Sequence, residues 1–428
     1  MLRDIFYLIL FVFFGSPVFA QKDFVKVKGH QFFIKDKPYK FFGVNMWYAG
    51  LLATNEEGKQ RLVHELDFLK KQGVTNIRVL AMVEGIGIIN GKYRVTPALR
   101  PSKDSLNNEL LIAFDFFLNE IRKRKMYAVI YLSNNWEWSG GFLQYLNWND
   151  KLSDSDMRNY MEWDKMRDEI SKFYSCAPCK QMYFDAASHF INRKNSISGI
   201  SYYADPSIMA WEIANEPRPM RPAAIPAYKS FIQDAAQLIK SLDKQHLVTT
   251  GTEGTIGSEN AATFFEVHSD PLIDYATLHI WPKNWQWFSD TSVNIAMVQV
   301  KRNTIAYLKE NDSIMRILNK PLVLEEFGMP RDAEQLKPGT PYHHREAYYR
   351  FICNAIFGKD KEFKTISCAN FWAFGGQVQR NSLQPYWQPG DPLMGDPPFE
   401  PQGINAVYES DSHIWKLVRA VNLDEFKQ

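Results

Sequence analysis

The chain has 428 residues, 45% hydrophobic and 23% charged, with a formal net charge of +2, which is the balance of an ordinary globular protein. So small a net charge leaves no electrostatic footprint for nucleic acid or an anionic membrane, and neither is expected as a partner. The aromatic share is high, with 30 Phe, 20 Tyr and 12 Trp, and that many Trp and Tyr leave rings at surfaces, where they stack on flat partners such as sugars.

Taken in chain order, residues 1–20 have the form of an export signal. Arg3 supplies a positive charge, Ile5 to Phe14 is an unbroken apolar run, and Gly15 and Pro17 end it before a small-x-small site at Val18-Phe19-Ala20. The run is shorter than the ~20 apolar residues of a membrane span, and no Cys follows it for a lipid anchor. The mature chain is therefore expected to begin near Gln21 and to be secreted, extracellular or periplasmic. Phe24 to Lys28 and Gln31 to Ile34 alternate around Gly29-His30 and reach Asp36-Lys37-Pro38, which predicts a small N-terminal β-hairpin.

Short apolar runs then alternate with amphipathic segments. Strands are predicted at Phe41 to Met46, Asn76 to Leu80, Tyr127 to Leu132 and Ile208 to Ile213. Four more are predicted at Leu247 to Thr250, Tyr275 to His279, Leu322 to Leu324 and Ser367 to Trp372. The helices between them run from Glu57 to Lys71, Leu106 to Lys123, Met182 to Arg193 and Ala227 to Leu242. The others span Ala261 to Val267, Val293 to Lys309, His343 to Phe357 and Asp411 to Val421. With no linker or low-complexity tract, residues 21–428 read as one α/β domain. Strand-helix alternation of this length predicts a single (β/α)8 TIM barrel with enlarged βα loops. The alternative, a doubly wound open sheet, lacks a G-x-G-x-x-G after its first strand. Of the four cysteines, Cys176 and Cys179 form a C-x-x-C that reads as a local disulfide in an exported protein. The pairing of Cys353 and Cys368 stays open.

Barrel enzymes gather their chemistry at the C-terminal strand ends. Strand two ends near Arg78, and strand three runs into Asn134-Asn135-Trp136-Glu137-Trp138. Strand four runs into Glu212-Ile213-Ala214-Asn215-Glu216-Pro217, and strand six into His279-Ile280-Trp281. Strand seven leads into Glu325-Glu326-Phe327-Gly328, and strand eight into Trp372. Any one of these is also a cap, a turn or a satisfied core polar group. Together they place Glu216 and Glu326 on opposed strands. Breaking a glycosidic bond requires such a pair, one carboxyl to protonate the leaving oxygen and one to attack the anomeric carbon or activate water. No H-x-H follows strand one and no H-E-x-x-H occurs, so no metal centre is expected.

These residues resemble glycoside hydrolase family 5, over nearly the whole mature chain from Phe42-Gly43-Val44-Asn45 to Phe371-Trp372. Three stretches are similar to its endo-β-1,4-mannanase subfamily in particular. They are Asn134-Asn135-Trp136 with Gly140-Gly141 and Gln144-Tyr145, Thr250-Gly251-Thr252-Glu253-Gly254, and Val323 to Gly328. The resemblance implies a retaining barrel enzyme with Glu216 as acid/base and Glu326 as nucleophile. It further implies that Asn215 hydrogen-bonds the sugar 2-hydroxyl, Arg78 holds the nucleophile ionised, and Trp372 floors the cleaved subsite. His279, Trp281, Asn135 and Trp136 complete the expected substrate-binding set. No cofactor is implied. The implied substrate is a β-linked polysaccharide or oligosaccharide of the mannan, glucomannan or galactomannan type, cut by a monomer. A β-1,4-glucanase or an exo-acting β-mannosidase on the same scaffold stays open, and so does a non-catalytic carbohydrate-binding barrel.

Physical chemistry agrees with these roles. Arg78 beside Glu326 is expected to lower its pKa, while the site of Glu216 should raise it. Since alternate strand residues face inward, only one of Glu325 and Glu326 is expected to point into the barrel. The resemblance, which places the nucleophile just before an aromatic-Gly pair, selects Glu326 and implies that Glu325 is a structural or supporting group, as Glu212 is also expected to be. Trp281 stands where the family usually has a tyrosine whose hydroxyl contacts the nucleophile. Indole donates but cannot accept, so Trp281 is expected to supply a hydrogen bond from another position or to narrow the cleaved subsite. Trp136, Trp138, Trp285, Trp287 and Trp387 fall in loops on this face, about half of them expected to anchor loops. The 133–179 excursion is a candidate cleft wall.

Overall fold

Eight runs of three to six residues are buried at every position: β1 (Phe42–Asn45), β2 (Asn76–Leu80), β3 (Tyr127–Tyr131), β4 (Ile208–Glu212), β5 (Leu247–Thr249), β6 (Ala276–Ile280), β7 (Leu322–Phe327) and β8 (Ile366–Phe371). Strands covered on both faces pair in parallel, because the crossovers lay helices against them. The computed structural model, which describes residues 23–287, 293–359, 361–377 and 384–426, pairs them all in parallel in the order β5-β4-β3-β2-β1-β8-β7-β6. Between β5 and β6 the Asp274 N–H donates to Val248 O at 2.8 Å and the His279 N–H to Glu253 O at 3.2 Å, which closes the ring. Outside it lie α1 (Glu56–Lys71), α2 (Asn108–Lys123), α3 (Ala177–Ile191), α4 (Ile225–Leu242), α5 (Ala261–Ser269), α6 (Val293–Leu318), α7 (His343–Phe357) and α8 (Ser412–Asn422). This is the expected (β/α)8 barrel. The predicted export signal lies outside the described residues.

Several boundaries differ from the sequence-based expectation for identifiable reasons. α6 continues to Leu318 through Asn311 and Asp312, residue types that usually compete with helical hydrogen bonding. Here Asn311 accepts from the Thr255 N–H at 3.1 Å, and Asp312 accepts from the Thr365 N–H at 2.8 Å, so their polar ends are occupied. α3 begins earlier than expected, at Ala177, because Cys176 caps it: its sulfur accepts from the Cys179 N–H at 3.3 Å. The same two residues form the expected disulfide, whereas Cys353 and Cys368 are free and buried. The N-terminal hairpin gains a third strand, Lys37–Tyr39, whose Pro38 is tolerated at a sheet edge. This small sheet packs Val25, Phe32 and Tyr39 against Tyr127, Met209, Leu247 and Tyr275, at the N-terminal ends of the barrel strands.

The 133–179 excursion is mostly helical, with helices at Gly141–Trp148, Asp154–Arg158 and Trp163–Ser171. Buried Glu84, after β2, ties it down. Its carboxylate accepts from Ser133 Oγ at 2.8 Å, Tyr145 Oη at 3.1 Å and the Gly141 N–H at 3.2 Å. Among the described residues no helix is long and apolar enough to cross a membrane.

Candidate active site

The β4 strand leads into a turn at Glu216, whose φ of +50° is uncommon for a residue with a side chain. A residue before proline normally prefers extended backbone, so this conformation is held by its neighbours. The Glu216 N–H donates to Gly251 O at 2.9 Å, and the Asn215 N–H donates to Ser133 O at 2.8 Å. Gly251 itself is at φ +81°, and a Cβ there would meet Ala214 O at 2.0 Å. The glycine after β5 is thus what allows the Glu216 turn to close.

β7 carries the other carboxyl with an unexpected register. Leu278 pairs with Leu324 but His279 pairs with Glu326, so Glu325 is the extra residue of a β-bulge. A bulge re-aims side chains next to it, and both glutamates reach the barrel interior. Gly328 follows directly. A Cβ there would stand 2.8 Å from Trp281 Cζ3, so its lack of a side chain makes room for that indole.

Arg78, fully buried on β2, connects these parts. Its guanidinium donates to both oxygens of Glu212 (2.5 and 3.0 Å), to Asn215 Oδ1 at 2.7 Å, to Asn45 Oδ1 at 3.1 Å and to Glu326 Oε1 at 2.5 Å. It also lies 3.4 Å from Glu325 Oε2. Glu212 is thereby the structural partner expected of it. Across the cavity Trp136 Nε1 donates to Glu216 Oε2, and His279 Nδ1 and Glu216 Oε1 are hydrogen-bonded at 2.6 Å. Trp281 lines the same cavity beside Glu216.

Burial dominates the electrostatics. It raises the Glu216 carboxyl, with the Arg218 charge and the Trp136 hydrogen bond opposing it. It also lifts Glu325 and Glu326 well above the carboxylate range. Arg78 pulls Glu326 down as expected, but burial outweighs it, a correction to the simple pairing argument. Burial, reinforced by the Arg78 charge, pushes His279 down to about 3, so the imidazole is neutral. Among the described residues, Glu212, Glu216, Glu253, Glu325 and Glu326 face two guanidiniums, Arg78 and Arg218. The crowding of like charges adds to burial in raising Glu325 and Glu326.

A cavity of about 490 Å³ opens over this cluster, and Trp136, Asn215, Glu216, Trp281, Glu326 and Trp372 line it. Arg78, His279 and Asn135 are fully buried behind it; Asn135 Oδ1 accepts from the Arg218 N–H at 3.4 Å. Trp138 and Trp285 also border the cavity, while Trp387 anchors its own loop by donating to Asp391 O at 3.0 Å. Trp372 Nε1 is buried and has no hydrogen-bond partner among the described residues, an unused donor in the cavity lining. Sequence reasoning missed Arg218, Asn284, Phe399 and Glu400. Arg218 pairs with Glu253 and lies 5.2 Å from the Trp136 ring centre, and burial lifts Glu400 up to about 8. Of these only Arg218 had a signal, its place directly after Glu216-Pro217. One ligand atom each from Glu216, His279 and Glu326 lie within 4.8 Å of one another, close enough for a divalent ion. Glu216 is hydrogen-bonded to His279 and Glu326 to Arg78, which is the arrangement of a hydrogen-bonded acid pair.

The sequence profile described as GH family 5 beta-mannosidase-like matches residues 22–427. The chain is 27% identical over 370 residues to mannan endo-1,4-beta-mannosidase 7 of Arabidopsis thaliana, covering 84% of this chain and 79% of that one. Among solved structures it is similar to the glycoside hydrolase family 5 mannosidase of Rhizomucor miehei, with a TM-score of 0.84 and 29% identity, covering 94% and 98% of the two chains. A glutamate-to-alanine mutant of that enzyme, in complex with mannosyl-fructose, gives a TM-score of 0.81 and 30% identity, covering 94% and 97%.

Proposed function

This chain belongs to the glycoside hydrolase family 5 β-mannosidase-like family, and we propose that it is an exported, monomeric enzyme cleaving β-1,4-mannosidic bonds in mannan, glucomannan or galactomannan with retention of configuration. The observation that carries the mechanism is the spacing of the two carboxyls. An oxygen of Glu216 and one of Glu326 lie within 4.8 Å; retaining enzymes hold their carboxyls about 5–5.5 Å apart, inverting ones about 6.5–9.5 Å. The mannan substrate is supported by the names of the relatives in Arabidopsis and Rhizomucor.

In this reading Glu326, whose charged form the Arg78 hydrogen bond favours against burial, gives up its proton before the reaction and attacks the anomeric carbon as the carboxylate while the bond to the leaving oxygen breaks. Glu216, kept protonated by burial, gives that oxygen its proton. A water then gives a proton to the Glu216 carboxylate as its oxygen attacks the anomeric carbon and frees Glu326. Two inversions restore the starting configuration. Asn215 and the unused Trp372 N–H are the groups set to bind the sugar itself.

The test uses the mature chain from Gln21 beside Glu216→Ala and Glu326→Ala, on soluble glucomannan, galactomannan, carboxymethylcellulose and xylan, following product sizes. Wild type alone should shorten the mannans, and Glu216→Ala should lose about 10²–10⁴-fold in kcat. Activity on carboxymethylcellulose alone would replace mannan with glucan. No cleavage of any polymer or β-mannoside would leave only the binding role.

A second reading, release of single sugars from chain ends, has its own support. The segment Pro397 to Glu400 borders the cavity. Lys92 Nζ reaches across to Phe399 O at 3.3 Å, and Asp396 accepts three backbone N–H groups that hold the segment in place. Early products of mixed length exclude this reading, and mannose alone selects it.

A further inference from the structure

Because an acid/base glutamate stands beside the leaving oxygen, what adjoins Glu216 on the side away from Glu326 faces the leaving sugar. Trp136 holds that position through its hydrogen bond to Glu216 Oε2. Its ring continues outward to Trp163, whose centroid is 6.0 Å away with the planes 31° apart. Trp163 opens the helix Trp163–Ser171, borders the catalytic cavity and is 46% exposed. The buried residues of that helix are Met166 and Ile170, so Trp163 meets the Trp136 ring while leaving nearly half of its own surface open beside the cavity. Large rings left open to water beside a cavity are typical of ligand contact.

We propose that Trp163 is a stacking platform for the second sugar beyond the scissile bond, so that the site recognises a chain of at least three β-linked sugars. This rests on the glycoside-cleavage reading above. The Trp136–Trp163 spacing is of the order of one sugar unit, and the pair forms a path leading out from the acid. The structure thus assigns the leaving-group end to the 133–179 excursion and makes the leaving group an oligosaccharide.

The test compares kcat/KM of wild type, Trp163→Ala and Trp163→Tyr on 4-nitrophenyl β-mannoside, mannobiose and mannotetraose. Trp163→Ala should lower the tetraose-to-aryl-mannoside ratio of kcat/KM about five- to tenfold, chiefly through KM, and Trp163→Tyr should restore most of it. An equal loss on all substrates would mark Trp163 as a support for its loop and overturn the proposal, as would no loss at all. If wild type cuts no β-mannoside of any length, the substrate reading falls and takes this inference with it. A length-independent effect in an active enzyme overturns this inference alone.

Discussion

At the scale of single residues, the meeting of Glu216 and Glu326 in one cavity was legible because Asn-Glu-Pro and Glu-Phe-Gly fall at the ends of opposed strands. What sets their protons was not. The carboxyl of Glu216 is raised by burial and drawn back by the Arg218 charge and the N–H of Trp136. Removing that donor in Trp136→Phe leaves the charged form with one stabilising contact fewer. With Glu216 as the proposed acid, the alkaline limb of kcat/KM should therefore move to higher pH than in wild type, as a pH–rate profile would record. Glu400 and Phe399 were illegible for a different reason. They lie in the loop after β8, where no periodicity or motif marks a residue as facing the cavity, and only tertiary folding brings them there.

At the scale of elements, apolar runs gave the strands and helices, since a buried strand and an amphipathic helix each leave a pattern. Register leaves none. The bulge at Glu325 breaks the in-out alternation that predicted one inward glutamate on β7, and it gathers both around Arg78. The end of the same strand sets Trp281 through Gly328. In Gly328→Ala the new Cβ, 2.8 Å from the indole, must displace that ring or the backbone. Misplacement on the order of 1 Å at reacting groups costs about 10²-fold. Gly328→Ala should lose about 10- to 100-fold in kcat with little change in melting temperature. Combining it with Trp281→Phe, whose smaller ring clears the new methyl, should leave kcat no lower than in Trp281→Phe alone.

For the whole molecule, buried carboxyls make stability depend on pH in two opposite ways. Burial lifts Glu84 up to about 7 and Asp396 to about 6. A folded-state value above the unfolded one contributes stability that is complete below the unfolded value of 4.5 for Glu84 and lost as pH rises through 7. Asp115 is the reverse: despite its burial, hydrogen bonds from Arg193, Tyr202 and Ser196 hold it below 3.8, and its contribution is lost as pH falls through that lowered value. The melting temperature should peak in mild acid. Glu84→Gln should flatten its decline between about pH 5 and pH 8; an unchanged slope would show that Glu84 is ionised throughout.

The small N-terminal sheet sits under the barrel, its Lys26 Nζ hydrogen-bonded to Gln245 O at 3.0 Å, while the carboxyls lie at the other end of the strands. Attachment through the N-terminus, to a bead, a cell surface or a fused binding domain, would therefore hold the protein by its base and turn the mouth of the cleft toward the medium. Display in that orientation leaves the path of a long polymer clear.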